Sequence, residues 1–407
     1  MAARGFFKDE QFDFETRIAL GFAHYRAAEV GEVLATVGRI KDGDAEAWFR
    51  EWTATGERVR DAADASAAAG HRISARDAYL RAAGYLFTAT GSLDGTDDPD
   101  RLLPAWREHR RAWERFCELS DPPIERVAIP YEGTELVGYV LRPREGGRRP
   151  AIILNNGSDG PVNAMWVQGG AAAVERGYVA ITFDGPGQGH ALLEQGLPFR
   201  PDWEAVVTPV VDHLLARDDV DASRIALQGI SQGGYWAPRA AAFEDRIAAV
   251  VADPGVMDVS TSWTAHLPAR MRNELEEGRS DRFDRDMAMG LRFSKSGRRT
   301  LAFRMRPYGT EDPYEAFRAV REYHLRDVVD RIACPVLITD PDDEQFWPGQ
   351  SRELHDALRA PATLVRFTAE EGGNRHCQPM TPGLRDQRVF DWLDETLARR
   401  PASPPAD

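Results

Sequence analysis

Hydrophobic positions follow two different periods along this chain. Up to about residue 120 they recur at three- and four-residue steps among Ala, Arg and Glu, with few β-branched runs, and this spacing predicts helices. The clearest piece is "ISARDAYLRAAGYLFTAT", where Ala75, Ala78, Tyr79, Ala82, Ala83 and Leu86 share one face and Ser74 stands where an N-cap belongs. Its aromatic residues are expected in a core, and no repeat of fixed period is visible.

The period changes at "DPPIERVAIPYEGTELVGYVLRP". Two prolines close the helical part, and two alternating runs then flank Glu132-Gly133 as in an antiparallel hairpin. Beyond it, "PAIILNN", "YVAITFD", "RIALQG", "IAAVVAD", "CPVLITD" and "TLVRFT" are short apolar or β-branched runs bounded by polar residues or glycine, as in strands buried on both faces. Helical stretches such as "WEAVVTPVVDHLLAR" separate them. Alternation of this kind predicts an α/β fold with a mainly parallel, doubly wound sheet. One interval breaks the rhythm: residues 254–331 carry polar helical segments with no strand, too long for a plain connection, and read as a helical cap. The expected organisation is a helical N-terminal lid domain over 1–121, a catalytic domain over 122–253 and 332–399, and the cap insertion over 254–331, with "RRPASPPAD" as a frayed tail.

Composition narrows the classes of partner. Hydrophobic residues make up 43% of 407 positions, enough for a substantial core, and the formal charge is −14. That surface repels phosphate backbones and anionic headgroups, so neither nucleic acid nor membrane is expected. The sequence lacks an apolar run of about 18 residues and a secretory leader pattern, which leads us to expect a cytoplasmic protein. Cys117, Cys334 and Cys377 are far apart, and the nine histidines form no His-x-x-x-His pair, so neither a disulfide framework, a metal nor a cofactor is expected. The expected partner is a small-molecule substrate, with a homodimer left open.

The chemistry concentrates at "RIALQGISQGGYWAPRAAA". Gly229-Ile230-Ser231-Gln232-Gly233 fits G-x-S-x-G, and it follows a strand and precedes a helix, the context that gives the motif meaning. A serine held on so sharp a turn needs neighbours without a Cβ, which accounts for Gly229 and Gly233. The helix start places its positive end and the Gln232 N–H beside the hydroxyl, where an oxyanion develops. Ser231 is thus a candidate nucleophile.

Such a serine needs a base and an orienting acid, in the order Ser, acid, His. His376, in "FTAEEGGNRHCQP" after the last strand, is the best base; His190 in "DGPGQGH" is its one rival, while His24, His71, His109, His213 and His355 lie in helical surroundings. The loop "DPDDEQFWPGQ" offers Asp340, Asp342, Asp343 and Glu344, of which Asp343 is preferred for its distance past the strand, with Asp253 and Asp258 as an alternative acid position. "ILNNGSDG" follows the first parallel strand, and N–H groups at Gly157 and Ser158 are candidates to complete an oxyanion hole with Gln232. "FDGPGQG" is spaced wrongly for a phosphate loop and reads as scaffold. Trp166, Tyr235, Trp236 and Trp263 are candidate substrate-pocket walls, with core burial the competing role for each.

The motifs "NNGSDG", "FDGPGQG", "GISQGGYWAPRAAA", "DDEQFWPGQ" and "EEGGNRHCQP", in that order over residues 120–395, resemble an α/β-hydrolase. The resemblance is narrower still to the branch with a helical N-terminal domain that includes dihydroxypseudooxynicotine hydrolase and the fungal polyketide-shortening hydrolases of the yellowish-green pigment type. It implies Ser231 as nucleophile, Asp343 as acid and His376 as base. It also implies cleavage of a carbon–carbon bond next to a ketone, or of an acyl or ester bond, in a polyketide-like or aromatic ketone. The competing classes are a general carboxylesterase or acyl-peptidase, and a lyase, cyclase or ligand-binding protein that keeps the fold without an acyl-enzyme. No propeller-like repeat precedes the hydrolase part, which counts against an oligopeptidase.

Overall fold

A computed structural model describes residues 5–399. The expected frayed tail lies beyond them, apart from Arg399. The chain divides into two compact units, one running to Glu125 and taking in Pro379–Gly383, the other comprising Arg126–Gln378 and the chain from Leu384 on.

The first unit is helical: α1 (Glu10–Gly21), α2 (Val30–Val37), α3 (Ala45–Ala68), α4 (Arg72–Thr90) and α5 (Leu102–Leu119). Asp9 and Asp44 cap α1 and α3 by accepting backbone N–H groups of the first turn, as short acidic side chains do at helix starts. The interior is aromatic: Trp48, Trp52, Tyr85 and Trp113 are almost fully buried, and Trp48 Nε1 donates to the Thr88 carbonyl at 2.8 Å. The predicted apolar face of α4 is buried as expected. Ser74, however, is not its cap. The chain reverses at Gly70, φ +79°, so the helix starts at Arg72 and Ser74 falls inside the first turn. His109 is packed here too, its Nδ1 3.1 Å from the Ala83 carbonyl. Burial, helped by the neighbouring Arg110 charge, pushes its pKa down to about 3, so the ring is neutral and Nδ1–H is the donor.

The second unit is built on eight strands: β1 (Glu125–Tyr131), β2 (Thr134–Leu141), β3 (Arg149–Asn155), β4 (Val179–Phe183), β5 (Val220–Ile230), β6 (Ile247–Asp253), β7 (Val336–Pro341) and β8 (Ala362–Phe367). Glu132 and Gly133 join β1 to β2 with φ of +41° and +82°, the two positive values a tight hairpin turn demands. The sheet order is β1-β2-β4-β3-β5-β6-β7-β8; β2 is antiparallel to β4, and every pairing from β4 to β8 is parallel. Each apolar run read from the sequence forms one of these parallel strands, and β3 to β7 are buried along nearly their whole length.

Helices cover the faces: α6 (Ala171–Glu175), α7 (Gly189–Leu193), α8 (Glu204–Leu215) and α9 (Gly233–Ala241) before β6, then α10 (Thr261–Thr264), α11 (Ala269–Glu276), α12 (Ser280–Leu291), α13 (Lys295–Met305) and α14 (Pro313–Val320) in the interval between β6 and β7, and α15 (Gln350–Ala357) and α16 (Pro382–Ala398) after it. Trp263, Phe283 and Phe317 of that interval join the same hydrophobic core as the sheet, with Phe283 and Phe317 edge to face at 5.2 Å. Burial of each such side chain stabilises by roughly 1.5–3 kcal/mol.

This topology fixes where a site belongs. The connection from β3 leads to β4 on one side, whereas β5 lies on the other, so the loops leaving β3 and β5 diverge and open a crevice at the strands' carboxyl ends. Register sets the partners there: Asn155 pairs with Gly229, and Ile230 with Asp253. The loop after β3, the turn after β5 and the end of β6 are brought side by side.

Candidate active site

Ser231 stands between the end of β5 and the start of α9 with φ +56°, a left-handed conformation that costs a non-glycine residue about 1–3 kcal/mol unless its surroundings enforce it. They do. Its N–H donates to the Asp253 carbonyl at 2.7 Å, and its own carbonyl accepts from Gly234 N at 2.8 Å. A Cβ at Gly229 would lie 1.9 Å from the Gly233 carbonyl oxygen, so only glycine fits; at Gly233 the tightest contact would be 3.1 Å, a lesser constraint.

His376 reaches this turn from the loop after β8. Its Nε2 lies 2.9 Å from Ser231 Oγ, and its Nδ1 lies 2.9 Å from both carboxylate oxygens of Glu344. An ionised carboxylate only accepts, so Nδ1 carries the hydrogen and Nε2 offers its lone pair to the serine hydroxyl. His376 is 4% exposed, with Phe346 edge-on at 4.7 Å. Burial disfavours the imidazolium, but the Glu344 charge and hydrogen bond outweigh it and hold the pKa above the ordinary histidine value. Burial likewise opposes ionisation of Glu344, yet His376 and the backbone N–H groups of Phe346 and Trp347 bring its pKa below the usual glutamate value.

The geometry therefore places Glu344 against the base, in the position expected for Asp343. β7 runs on to Pro341, and pairing continues past it, with Asp342 N–H donating to the Phe367 carbonyl and Asp343 N–H to the Asn374 carbonyl. The chain turns at Asp342, so that residue and Asp343 are both exposed, Asp343 taking the Asn374 amide, while the next residue turns its carboxylate in. The other acids are engaged elsewhere: Asp340 with Arg352, Asp342 with Arg366, Asp258 with Ser260 and Arg326. His190 belongs to the scaffold, its N–H bonded to the Asp184 carboxylate at 2.9 Å.

Asp253 has a different place from the one weighed in the sequence. Its carbonyl holds Ser231 N–H and Cys377 Sγ, and its carboxyl accepts from Thr339 Oγ1 and from Gln378 Nε2. Cys377 and Gln378 follow His376 directly, so one buried residue at the end of β6 anchors both the Ser231 turn and the His376 loop. Burial drives that carboxyl above the usual aspartate range against the opposing influence of Arg385.

The loop after β3 closes on the serine from the other side. A Cβ at Gly157 would lie 2.8 Å from that of Ser231, so this glycine is required by close approach. Its N–H is not free for an oxyanion, because the Asn156 side chain folds back and accepts it at 2.8 Å. Among the described residues, the N–H groups of Ser158 and Gln232 make no hydrogen bond. Gln188 Nε2, in the "FDGPGQG" turn, donates to the Asn156 and Gly157 carbonyls at 3.1 and 2.6 Å, which gives that turn the scaffold position read for it.

The four aromatic candidates divide. Tyr235 and Trp236 are fully buried on α9; Trp236 stacks on Trp203 at 4.1 Å, and Tyr235 Oη donates to the Pro201 carbonyl at 2.7 Å. They are core because both faces of that helix are covered. Trp166 is half-buried at the start of a kinked stretch, Trp166–Gly170, in which Gln168 and Gly169 leave helical geometry. Trp263 packs edge-on against Tyr308 at 5.3 Å, with the Arg304 guanidinium 5.7 Å from its ring centre. Tyr308 and Arg304 were not identified from the sequence, where no motif marks them. Asp159 was not selected either, although it stands two residues past Gly157.

The comparisons with known proteins agree with this architecture. A model of the Prolyl oligopeptidase family matches residues 171–288, which include the Ser231 turn. The hydrolase acrC of Aspergillus aculeatus is 34% identical, covering 96% of this chain and 97% of the relative. The 20-hydroxy-prefusarin hydrolase FUS2 of Gibberella moniliformis is 31% identical over 96% of this chain and 98% of its own. The crystal structure of 2,6-dihydroxy-pseudo-oxynicotine hydrolase superposes with a TM-score of 0.75 at 22% identity, covering 96% of this chain and 98% of that one, a likeness of fold. With such identity sustained over almost the whole length of both sequences, the chain belongs to the α/β-hydrolase family, in the branch that contains these fungal hydrolases.

Proposed function

We propose that the protein is a serine hydrolase that passes an acyl group through Ser231 to water, cleaving a carbon–carbon bond next to a ketone, or an acyl or ester bond, in a polyketide-like or aromatic ketone. The observation that carries this is the unbroken hydrogen-bond line from Ser231 Oγ through the His376 ring to Glu344. His376 Nε2 takes the hydroxyl proton as Oγ bonds to the carbonyl carbon, and Glu344 stabilises the imidazolium. The free N–H groups of Gln232 and Ser158 are the donors proposed for the oxyanion. The bond to the leaving group then breaks with its electron pair, the imidazolium proton goes to that group, and water activated by His376 releases the acid. The relative named for hydrolysis of 20-hydroxy-prefusarin, matched over nearly the full chain, supports a small-molecule substrate.

A fluorophosphonate probe tests the covalent step. Labelling of the wild type and not of Ser231→Ala is expected; a folded wild-type protein that stays unlabelled would overturn it and favour a lyase, cyclase or binding role. The match to the Prolyl oligopeptidase model favours an acyl-peptidase as the second reading, and peptide amides tested beside ketones separate the two.

A further inference from the structure

Beside the nucleophile, three polar side chains from two segments have hydrogen-bonding capacity that the protein leaves unused. Arg304, at the end of α13, donates one hydrogen bond, from Nη1 to the Ser262 carbonyl at 3.0 Å. Among the described residues no carboxylate pairs with it, and its other N–H groups bond to no protein atom. Tyr308 Oη is enclosed and makes no hydrogen bond, and neither does Nε2 of Gln232, a residue only 4% exposed and the immediate neighbour of Ser231. The Gln232 amide stands close to the phenol as its nearest donor, but the two do not meet hydrogen-bond geometry.

The three are held firmly. Tyr308 is wedged between the edges of Phe199, at 5.3 Å, and Trp263, while the Pro307 carbonyl accepts the Phe199 N–H at 2.7 Å. Arg304 lies against the same Trp263 ring. The one acid that acts on Arg304 is Asp159, which bonds to Ser158 Oγ instead. Asp159 is itself exposed, so solvent screens it as a counter-charge. A half-buried guanidinium with one hydrogen bond and no anion is costly, and an unpaired phenol and amide add to that cost. Such groups gain most from a ligand that brings negative charge on oxygen.

We propose that Arg304, Tyr308 and Gln232 form a second oxygen-binding cluster, distinct from the backbone N–H groups at the serine, which takes the second carbonyl oxygen of a 1,3-dicarbonyl substrate. The inference rests on Ser231 acting as the nucleophile. Ser231 Oγ bonds to one carbonyl carbon, and collapse of the adduct breaks the bond to the carbon between the two carbonyls. That electron pair moves into an enolate, whose oxygen the cluster holds. The proton taken from Ser231 passes from His376 to the enolate carbon, and water then cleaves the acyl-enzyme. An ester of a simple alcohol has no second oxygen to place there, so the cluster selects for carbon–carbon cleavage.

The test compares 1-phenylbutane-1,3-dione with p-nitrophenyl butyrate in the wild type, Arg304→Met, Arg304→Lys and Tyr308→Phe, each checked for folding by circular dichroism. For Arg304→Met the ratio of kcat/KM on the diketone to that on the ester is expected to fall at least about tenfold, the loss of a charged hydrogen bond. Arg304→Lys, which keeps the charge, should fall less, and Tyr308→Phe should shift the ratio in the same direction. Equal losses on both substrates, or an unchanged ratio, would overturn the cluster's role. So would a wild type that labels with fluorophosphonate yet neither cleaves the diketone nor is inhibited by it. A wild type that fails to label sinks the nucleophile instead, which keeps the two failures apart.

Discussion

Glu344 presents both carboxylate oxygens to Nδ1 of His376 at the same distance, 2.9 Å, while the adjacent Asp343 points away toward Asn374. Two neighbouring acids on one loop therefore differ in environment, and the difference is measurable. Glu344→Gln should lower kcat about 10²- to 10⁴-fold, because an amide no longer fixes the productive tautomer or compensates the imidazolium. Asp343→Asn keeps an acceptor for Asn374 at an exposed position and should change the rate less than about threefold. The reverse ranking in steady-state assays would return the acid to Asp343.

The same carboxylate sets the pH dependence. With the His376 pKa held above the ordinary value, kcat/KM on an uncharged ester should climb to a plateau with its midpoint above about 6.5, where free histidine would place it. In Glu344→Gln the residual activity should titrate at lower pH, since the charge that raised the midpoint is gone. The linkage sign follows: this histidine contributes its stability fully below the unfolded pKa and loses it as pH rises through the folded one.

Gly157→Ala tests the close approach at the serine. The added Cβ would stand 2.8 Å from Ser231 Cβ and 3.0 Å from the Ile230 carbonyl, so the loop or the turn must shift. Displacement of the reacting atoms is expected to lower kcat, by up to about 10²-fold for a misplacement of about 1 Å, with the fold retained. Near-wild-type kcat would show that the loop has slack there.

In the helical unit, His109 gives an opposite pH signature. Its folded pKa of about 3 lies below the unfolded value, so the unfolded chain takes up a proton first as pH falls, and stability drains away from about 6.5 down to 3. His109→Gln keeps a donor for the Ala83 carbonyl and removes the titration. Urea unfolding at pH 7 and pH 5 should show the wild type losing about 2 kcal/mol more than the variant over that interval.

Much of this was legible in the sequence, and the gaps have physical causes. Strands buried on both faces leave continuous apolar runs, so β3 to β7 could be read directly, while β8, expected to be buried too, is a half-exposed edge strand; the hairpin at Glu132-Gly133 and the sharp turn at Ser231 were legible as well. The acid was harder, because four carboxylates follow β7 and nothing in "TDPDDE" marks how far extended pairing continues. Asp342 and Asp343 both stay outside, each with a partner of its own, and the following acid turns in. Tyr235 and Trp236 misled for a related reason: a helix covered on every side carries no polar face to reveal which residues meet a cavity. Arg304 and Tyr308 are invisible to spacing altogether, since their position depends on how an inserted segment folds back onto the sheet.

Ser231 and His376 are 145 positions apart, with the segment between β6 and β7 and the last two strands synthesised between them. During translation the strained serine is made well before any group able to deprotonate it. Until β8 joins the edge of the sheet and the following loop docks against Asp253, the hydroxyl has the reactivity of an ordinary alcohol. The order of the chain thus keeps Ser231 apart from His376 until the last part of the sheet is in place.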